Sequence, residues 1–379
     1  MASWGSCAIF KTKSKALLKL ALKIFVPDIK KKIDRKICVL PLIPFLTNDF
    51  SNEQRIEQFG NWINHIQLVD DVENCDFVMP AHYVNYYCYN NEIKYLLQIN
   101  KIAIAANKLT VCFTNGDWGV TPKLNNFHLY RFSGYRSKNS GNQFCCPFFL
   151  GSDPLYRYYD GKFPVNNQKP IIPVIGFCGR ASGDIFGWGT DIVKDMGRGV
   201  LKLAGKWPED IESFHGSSYK RYYILKELEQ SPLVETNFIL HKTFKGGGES
   251  AEEKKRLSEM FYTNMKQSHY AFCYRGWGNY SIRLYEALAS GRIPFIIDSD
   301  NNLPFPDKVN WNMFPVASHS DRKNIPSILA SFHAALSNDD FVNLQYKARA
   351  IWEQFCTYNG YMEQWVNKYL QHSNNLYSL

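Results

Sequence analysis

An α/β protein with two parallel-sheet domains is what this sequence predicts, and three observations predict it. Short apolar runs alternate with helix-period segments along most of the chain, the pattern of parallel sheets covered on both faces. The 379 residues, 45% of them hydrophobic and 15% aromatic, suffice for two buried cores. Between Phe148 and Lys169 the composition shifts toward Pro, Gly, Asn and Tyr, which places a domain boundary near Asn166.

The chain opens on its most basic stretch, residues 11 to 36, KTKSKALLKLALKIFVPDIKKKIDRK. Lys19 and Lys23 interrupt its apolar positions, so it is too short and too charged to span a bilayer or to act as an ordinary secretory core. A basic amphipathic helix on an anionic membrane face is one expectation, each lysine adding about 1 kcal/mol there. A solvated helix packed on the first domain is the other. From Lys36, KICVLPLIPF reads as a strand and loop, and NEQRIEQFGNWINHIQ as one amphipathic helix with Ile56, Phe59, Ile63 and Ile66 on one face. CDFVMP reads as a strand, NNEIKYLLQINKIAIAAN as a helix, and KLTVCFTNGDWG as a strand and loop.

After the boundary, PIIPVIGFCGRASG reads as a strand ending in a glycine turn. SSYKRYYILKELEQSP is a helix closed by Pro232, and VETNFILH is a strand. The KGGGES tract lacks the ending of a phosphate loop and serves as a connection before the helix carrying Leu257, Met260, Phe261 and Met265. Beyond Trp311 come the strand FPVAS and three helices.

Charge and cysteine usage narrow the class. A formal charge of +9 suits an anionic partner such as a nucleotide, an acidic glycan or a membrane surface, and no nucleic-acid-binding motif accompanies it. Ten scattered cysteines form no C-x-x-C pair, which fits buried free thiols in a reducing, cytoplasmic compartment and no zinc site.

The most informative stretch is His269 to Pro306. An apolar run (Tyr270 to Tyr274), a turn (Arg275-Gly276-Trp277-Gly278), a helix pattern (Ser281 to Ser290) and a second run (Ile293 to Ile297) make a strand, helix, strand unit. Its turn feeds a helix N-terminus, which suits a phosphate. Asn279 or Ser281 can cap the helix, and Gly291 stands where a left-handed residue closes it. Arg283 and Glu286 share a helical face, placed either to meet a diphosphate and ribose hydroxyls or to form a plain surface pair.

The run Arg275-Gly276, then Ser281, Arg283, Glu286, Gly291 and Ile293-Pro294, followed by Leu303-Pro304-Phe305 and Trp311, resembles the C-terminal signature of the exostosin family, glycosyltransferase family 47. The segments DFVMPAHY and FTNGDWG resemble its N-terminal half, so the likeness covers most of residues 70 to 320. The resemblance implies a GT-B fold: two Rossmann-like domains facing across a cleft, with a C-terminal helix crossing back to the first. It also implies inverting transfer from a UDP-sugar to a glycan or glycoconjugate acceptor, without an essential metal. By the same likeness Gly179-Arg180 and Arg198 join Arg275, Gly276, Tyr280, Ser281, Arg283 and Glu286 at the donor.

The domain reading is then 1–36 as a basic segment, 37–166 as the acceptor-side domain, 167–335 as the donor domain, and 336–379 as helices packing back. An inverting enzyme needs a base for the acceptor hydroxyl. Asp117, in the loop after a strand, is the candidate, with an ordinary turn-forming Asp as the alternative and His82 and Asp49 as lesser choices. Asp298-Ser299-Asp300 has the form of a metal-binding D-x-D, but its place before LPF resembles exostosins and argues against that use. A non-catalytic nucleotide-sugar-binding partner of an active transferase is the rival class, and a retaining enzyme of the same fold is a second.

Overall fold

The computed structural model describes residues 21–27, 38–46, 50–211, 216–241, 247–248 and 250–376. Six parallel strands form the first sheet: β1 (Leu22–Phe25), β2 (Ile66–Val69), β3 (Phe77–Val78), β4 (Leu109–Phe113), β5 (Phe127–Arg131) and β6 (Gln143–Cys145), in the order β2-β1-β3-β4-β5-β6. The helices α1 (Asn52–Phe59), α2 (Val84–Tyr89) and α3 (Ile93–Ala105) belong to this domain.

Its first strand corrects the reading of the N-terminal stretch. Within the basic segment the described residues are extended, and β1 lies inside the sheet between β2 and β3. The reason is period. Leu22, Ile24 and Val26 are buried while Lys23 is exposed, an alternation that fits a pleated strand. The Lys23 backbone is tied to Asp76, its amide donating to the Asp76 carboxylate at 2.6 Å and its carbonyl accepting from the Asp76 amide at 2.8 Å. The rest of residues 1–36, and the lesser base candidate Asp49, lie outside the described residues.

Two more local readings change. Leu40–Leu46 is a 3-10 helix and not a strand, since two prolines deny it ladder donors. The single helix expected over residues 52 to 67 divides at Gly60, whose φ of 90° ends α1. A 3-10 turn (Asn61–His65) and β2 follow.

The second sheet has five parallel strands, β7 (Val174–Arg180), β8 (Glu235–His241), β9 (Tyr270–Cys273), β10 (Ile293–Asp298) and β11 (Val316–Ser318), in the order β11-β10-β9-β7-β8. Around it lie α5 (Ile185–Leu203), α6 (Ser217–Gln230), α7 (Ala251–Gln267), α8 (Ile282–Ala289), α9 (Ile325–Ala335) and α10 (Asn338–Ile351). The capping box of Ser250 and Glu253 starts α7. In α8, Leu284, Tyr285, Leu288 and both alanines are buried against β9 and β10. Gly291 takes the expected left-handed conformation at φ 62°, and a Cβ there would lie 2.2 Å from the Phe163 ring.

The domain limits also shift. The short helix α4 (Pro154–Tyr158) already packs on α7 and α8, with Tyr158 stacked on Tyr262 at 4.0 Å, so the crossing into the second domain precedes Asn166. Arg349 of α10 donates to Asp153 through Nη1 at 2.8 Å. Phe341, Leu344, Ala348 and Ile351 of α10 belong to the second core, so the return to the first domain begins later than residue 336.

A π turn over Trp352–Cys356 redirects the chain. Then α11 (Tyr358–Leu376) crosses back, setting Tyr361, Met362, Trp365, Val366, Tyr369 and Leu370 into the first core. The nine described cysteines are free thiols, eight of them buried. No described helix is long and apolar enough to cross a membrane.

Because Trp365 is 1% exposed and meets the Phe77 ring edge-on at 5.8 Å, Trp365→Ala should cost about 3–5 kcal/mol. Urea unfolding of the two proteins measures this, and a loss below about 1 kcal/mol would show that α11 is not integral to the first core.

Candidate active site at the interdomain seam

The C-terminal ends of parallel strands are where α/β folds collect ligands. Here β4 of the first sheet and β7, β9 and β10 of the second direct such ends toward one seam. Its centre is the loop from Arg275 to Ser281.

Asn279 is wholly buried, and its amide nitrogen donates to the carbonyls of Gly134 at 3.0 Å and of Ser299 and Asp300 at 3.2 Å. Its Oδ1 accepts from the Ser299 hydroxyl at 2.7 Å. Of the two cap candidates, Ser281 therefore holds the cap position of α8, without a side-chain capping bond, while Asn279 joins the domains. Gly278 permits the close approach, since a Cβ there would lie 2.0 Å from the Asp117 carbonyl oxygen.

The D-x-D carboxylates face the other domain. Arg136 donates to Asp298 at 2.9 Å, and Ser137 donates to Asp300 through both its amide, at 3.0 Å, and its hydroxyl. Arg136 is 60% exposed, so its ion pair contributes on the order of 0–1 kcal/mol, and the buried amide of Asn279 is the stronger tie.

Asp117 is exposed in the loop after β4 and accepts from the Tyr280 hydroxyl at 2.9 Å. Burial and the nearby Asp117 carboxylate push the Tyr280 phenol well above its ordinary range, so it stays a neutral donor. Arg131, buried beneath, shapes this loop by donating to the Trp118 carbonyl at 2.6 Å and to Thr121 at 2.9 Å while pairing with Asp210 at 3.0 Å. His82 is buried and stacked on Tyr86 at 4.3 Å, a packing role that does not suit a base for an acceptor.

Across the seam, positive charge gathers at the ends of β7 and β9. Arg275, 2% exposed, donates to the Tyr135 hydroxyl at 3.1 Å and the Trp277 carbonyl at 2.9 Å. The Gly276 amide donates to the Tyr280 carbonyl at 2.9 Å, which curls the turn. Arg283 donates to the Cys178 carbonyl and lies over the Phe177 ring at 4.1 Å. Gly179 makes that possible, because a Cβ would sit 2.8 Å from the Arg283 Nη2. Arg283 is pushed down by burial, against the opposing pull of Glu286 on the same helix face.

Arg221, on α6, was not singled out from the sequence. It donates to the Arg180 carbonyl at 2.6 Å and to the Arg275 carbonyl, holding the two turns together. Burial, with the guanidinium groups of Arg283, Arg180 and Arg275, pushes it down to about 9, and the Tyr274 phenol alone acts the other way. A guanidinium keeps its proton at any ordinary pH, so Arg221 is a charged group that is poorly hydrated and stands beside other cations. Lys220 is lowered as well, by burial and then Arg275. Among the described residues, the buried Nε groups of Arg180, Arg221 and Arg283 meet no acceptor. Such a cluster is built for an anion with several oxygens. Only the tyrosine-rich spelling of SYKRYY hid it.

Arg198 has other partners. It pairs with Asp195 at 2.8 Å, and its guanidinium lies 4.5 Å from the Trp118 ring and 5.3 Å from that of Trp277. It thus joins an indole cluster at the seam and is not among the arginines that act on Arg221.

Two Rossmann-like sheets facing across a cleft, closed by a helix that crosses back, define the GT-B class of fold. Residues 213–332 match the family model of the Exostosin GT47 domain. The match is narrower than residues 70 to 320. It takes in Arg221, Arg275, Ser281, Arg283 and Glu286 and leaves out Asp117, Gly179, Arg180 and Arg198.

A probable glucuronosyltransferase of Oryza sativa subsp. japonica is 39% identical over 72 residues, 19% of this chain and 17% of that protein. The probable beta-1,4-xylosyltransferase IRX10 of Arabidopsis thaliana is 36% identical over 72 residues, 19% of this chain and 18% of that protein. The chain thus spans less than a fifth of the length of these curated relatives. The solved structure of Anabaena Alr3699/HepE in complex with UDP aligns over 94% of this chain and 100% of that one, at 11% identity and a TM-score of 0.34.

Replacing Arg221 by methionine removes both the charge and the fork between two carbonyls. Inorganic pyrophosphate should raise the melting temperature of the wild type, and Arg221→Met should lose at least nine-tenths of its affinity, about 1.4 kcal/mol. Equal pyrophosphate shifts in a thermal-melt series would show that Arg221 only braces the fold.

Proposed function

We propose that this chain is an inverting glycosyltransferase that moves a sugar from a UDP-sugar to a glycan or glycoconjugate acceptor without an essential metal. The observation that carries the reading is a coincidence of place: the segment matched as an exostosin GT47 domain supplies Arg221, Arg275 and Arg283 to one cationic cluster. The names of the relatives, glucuronosyltransferase and xylosyltransferase, support sugar transfer.

In this reading Arg275, Arg283 and Arg221, with Arg180, take up the charge that develops on the leaving diphosphate, the electrostatic part a metal plays in other transferases. Glu286 accepts hydrogen bonds from the ribose hydroxyls. Asp117 removes the proton of the acceptor hydroxyl as that oxygen attacks the anomeric carbon, and one displacement inverts its configuration. Tyr280 holds the carboxylate in place until the acceptor arrives. The buried thiols support a reducing, cytoplasmic setting.

A thermal-shift panel of UDP, GDP and CMP tests the donor site. UDP at a hundredfold excess over its Kd should add about 2.7 kcal/mol of apparent stability, and Arg283→Ala should abolish that gain. No shift with any nucleotide at saturation would overturn the reading. In a turnover assay with a competent acceptor, Asp117→Asn should lower kcat by about 10²–10⁴ and leave UDP binding unchanged. Near-normal turnover would remove Asp117 as the base and favour a non-catalytic binding role for this loop.

A further inference from the structure

A cavity of about 270 Å³ opens beside the arginine cluster, between the end of β7, the start of α5 and the start of α6. It is slightly smaller than pockets for drug-sized ligands, which run from roughly 300 to 1,000 Å³, and has room for a single sugar ring. Arg180 is the shared wall. Its carbonyl accepts from Arg221 at 2.6 Å, and its side chain lines the cavity. A sugar attached to a diphosphate among the arginines therefore has this space next to it.

The lining says what kind of group belongs there. Trp188 and Tyr219 form an aromatic wall, stacked at 5.3 Å, suited to the C–H face of a pyranose. Two carboxylates, Asp184 and Asp191, also line it. Asp184 uses Oδ1 to accept from the Phe186 amide at 3.0 Å. Asp191 is half-buried and makes no hydrogen bond or ion pair among the described residues. An ionised carboxylate only accepts, so these two seek donors. A sugar ring offers several hydroxyl donors. Uracil offers one N–H between two carbonyl oxygens, which two carboxylates would repel, and a uronic acid would bring a third negative charge.

We infer that this cavity holds the sugar ring of the donor and selects a neutral sugar over a uronic acid, with Asp191 and Asp184 accepting from its hydroxyls and Trp188 lying against its face. The inference rests on the glycosyltransferase reading above and adds the class of sugar to it.

Isothermal titration of UDP, UDP-xylose, UDP-glucose and UDP-glucuronic acid into wild type, Asp191→Asn and Trp188→Ala tests it. In the wild type, one of the neutral sugar nucleotides should bind at least tenfold tighter than UDP-glucuronic acid. Each variant should lose about tenfold in affinity for that neutral donor while its affinity for UDP stays within twofold. Asp191→Asn should also narrow the discrimination against UDP-glucuronic acid. A preference for UDP-glucuronic acid, or an equal loss for UDP and the sugar nucleotides, would overturn the assignment while leaving the donor site standing. Wild-type protein that binds none of the four at saturation would overturn the transferase reading and this inference with it.

Discussion

One buried amide organises this molecule. Asn279 has no access to water, and its side chain satisfies carbonyls from both domains, so the loop that carries it is held by each. Removing it would leave several backbone acceptors unpaired in a dry seam, at roughly 1–3 kcal/mol for each. The Arg136 contacts with Asp298 and Asp300 lie farther out and are screened by water, so they guide the fit more than they hold it.

That tie sets the chemistry beside it. With the loop anchored, Arg275 is buried with defined partners, Gly278 brings the Asp117 backbone into contact, and Tyr280 reaches the Asp117 carboxylate. On the other side, Arg221 and Arg283 use backbone carbonyls to fix their guanidinium groups. Positive charge held by neutral acceptors is oriented without being cancelled. Such repulsion costs stability, and a bound polyanion would relieve it.

Much of the second domain was legible from its residues. The strand, turn, helix, strand order from Tyr270 to Ile297, the left-handed Gly291 and the helices α6 and α7 all follow from period and end signals that act over a few residues. The first domain was less so. The lysines of LKLALKIF drew attention to charge, whereas the alternation of Leu22, Ile24 and Val26 decides the outcome once β2 and β3 flank it. Gly60 divided an apparent helix, because its neighbours favoured helix while its own backbone conformation ends one.

The site shows the same division between local and distant causes. The types and order of Arg275, Gly276, Ser281, Arg283 and Glu286 are local, and the sequence by itself determined a positively charged turn leading into a helix. It also determined the α/β class. Only the tertiary structure decided that Arg221 joins those arginines, that Arg198 rests on Trp118 instead, that Asp298 and Asp300 face Arg136 and Ser137, and that Tyr280 meets Asp117. Each of these contacts links residues far apart in the chain, and periodicity carries no information about which distant partner a side chain will meet.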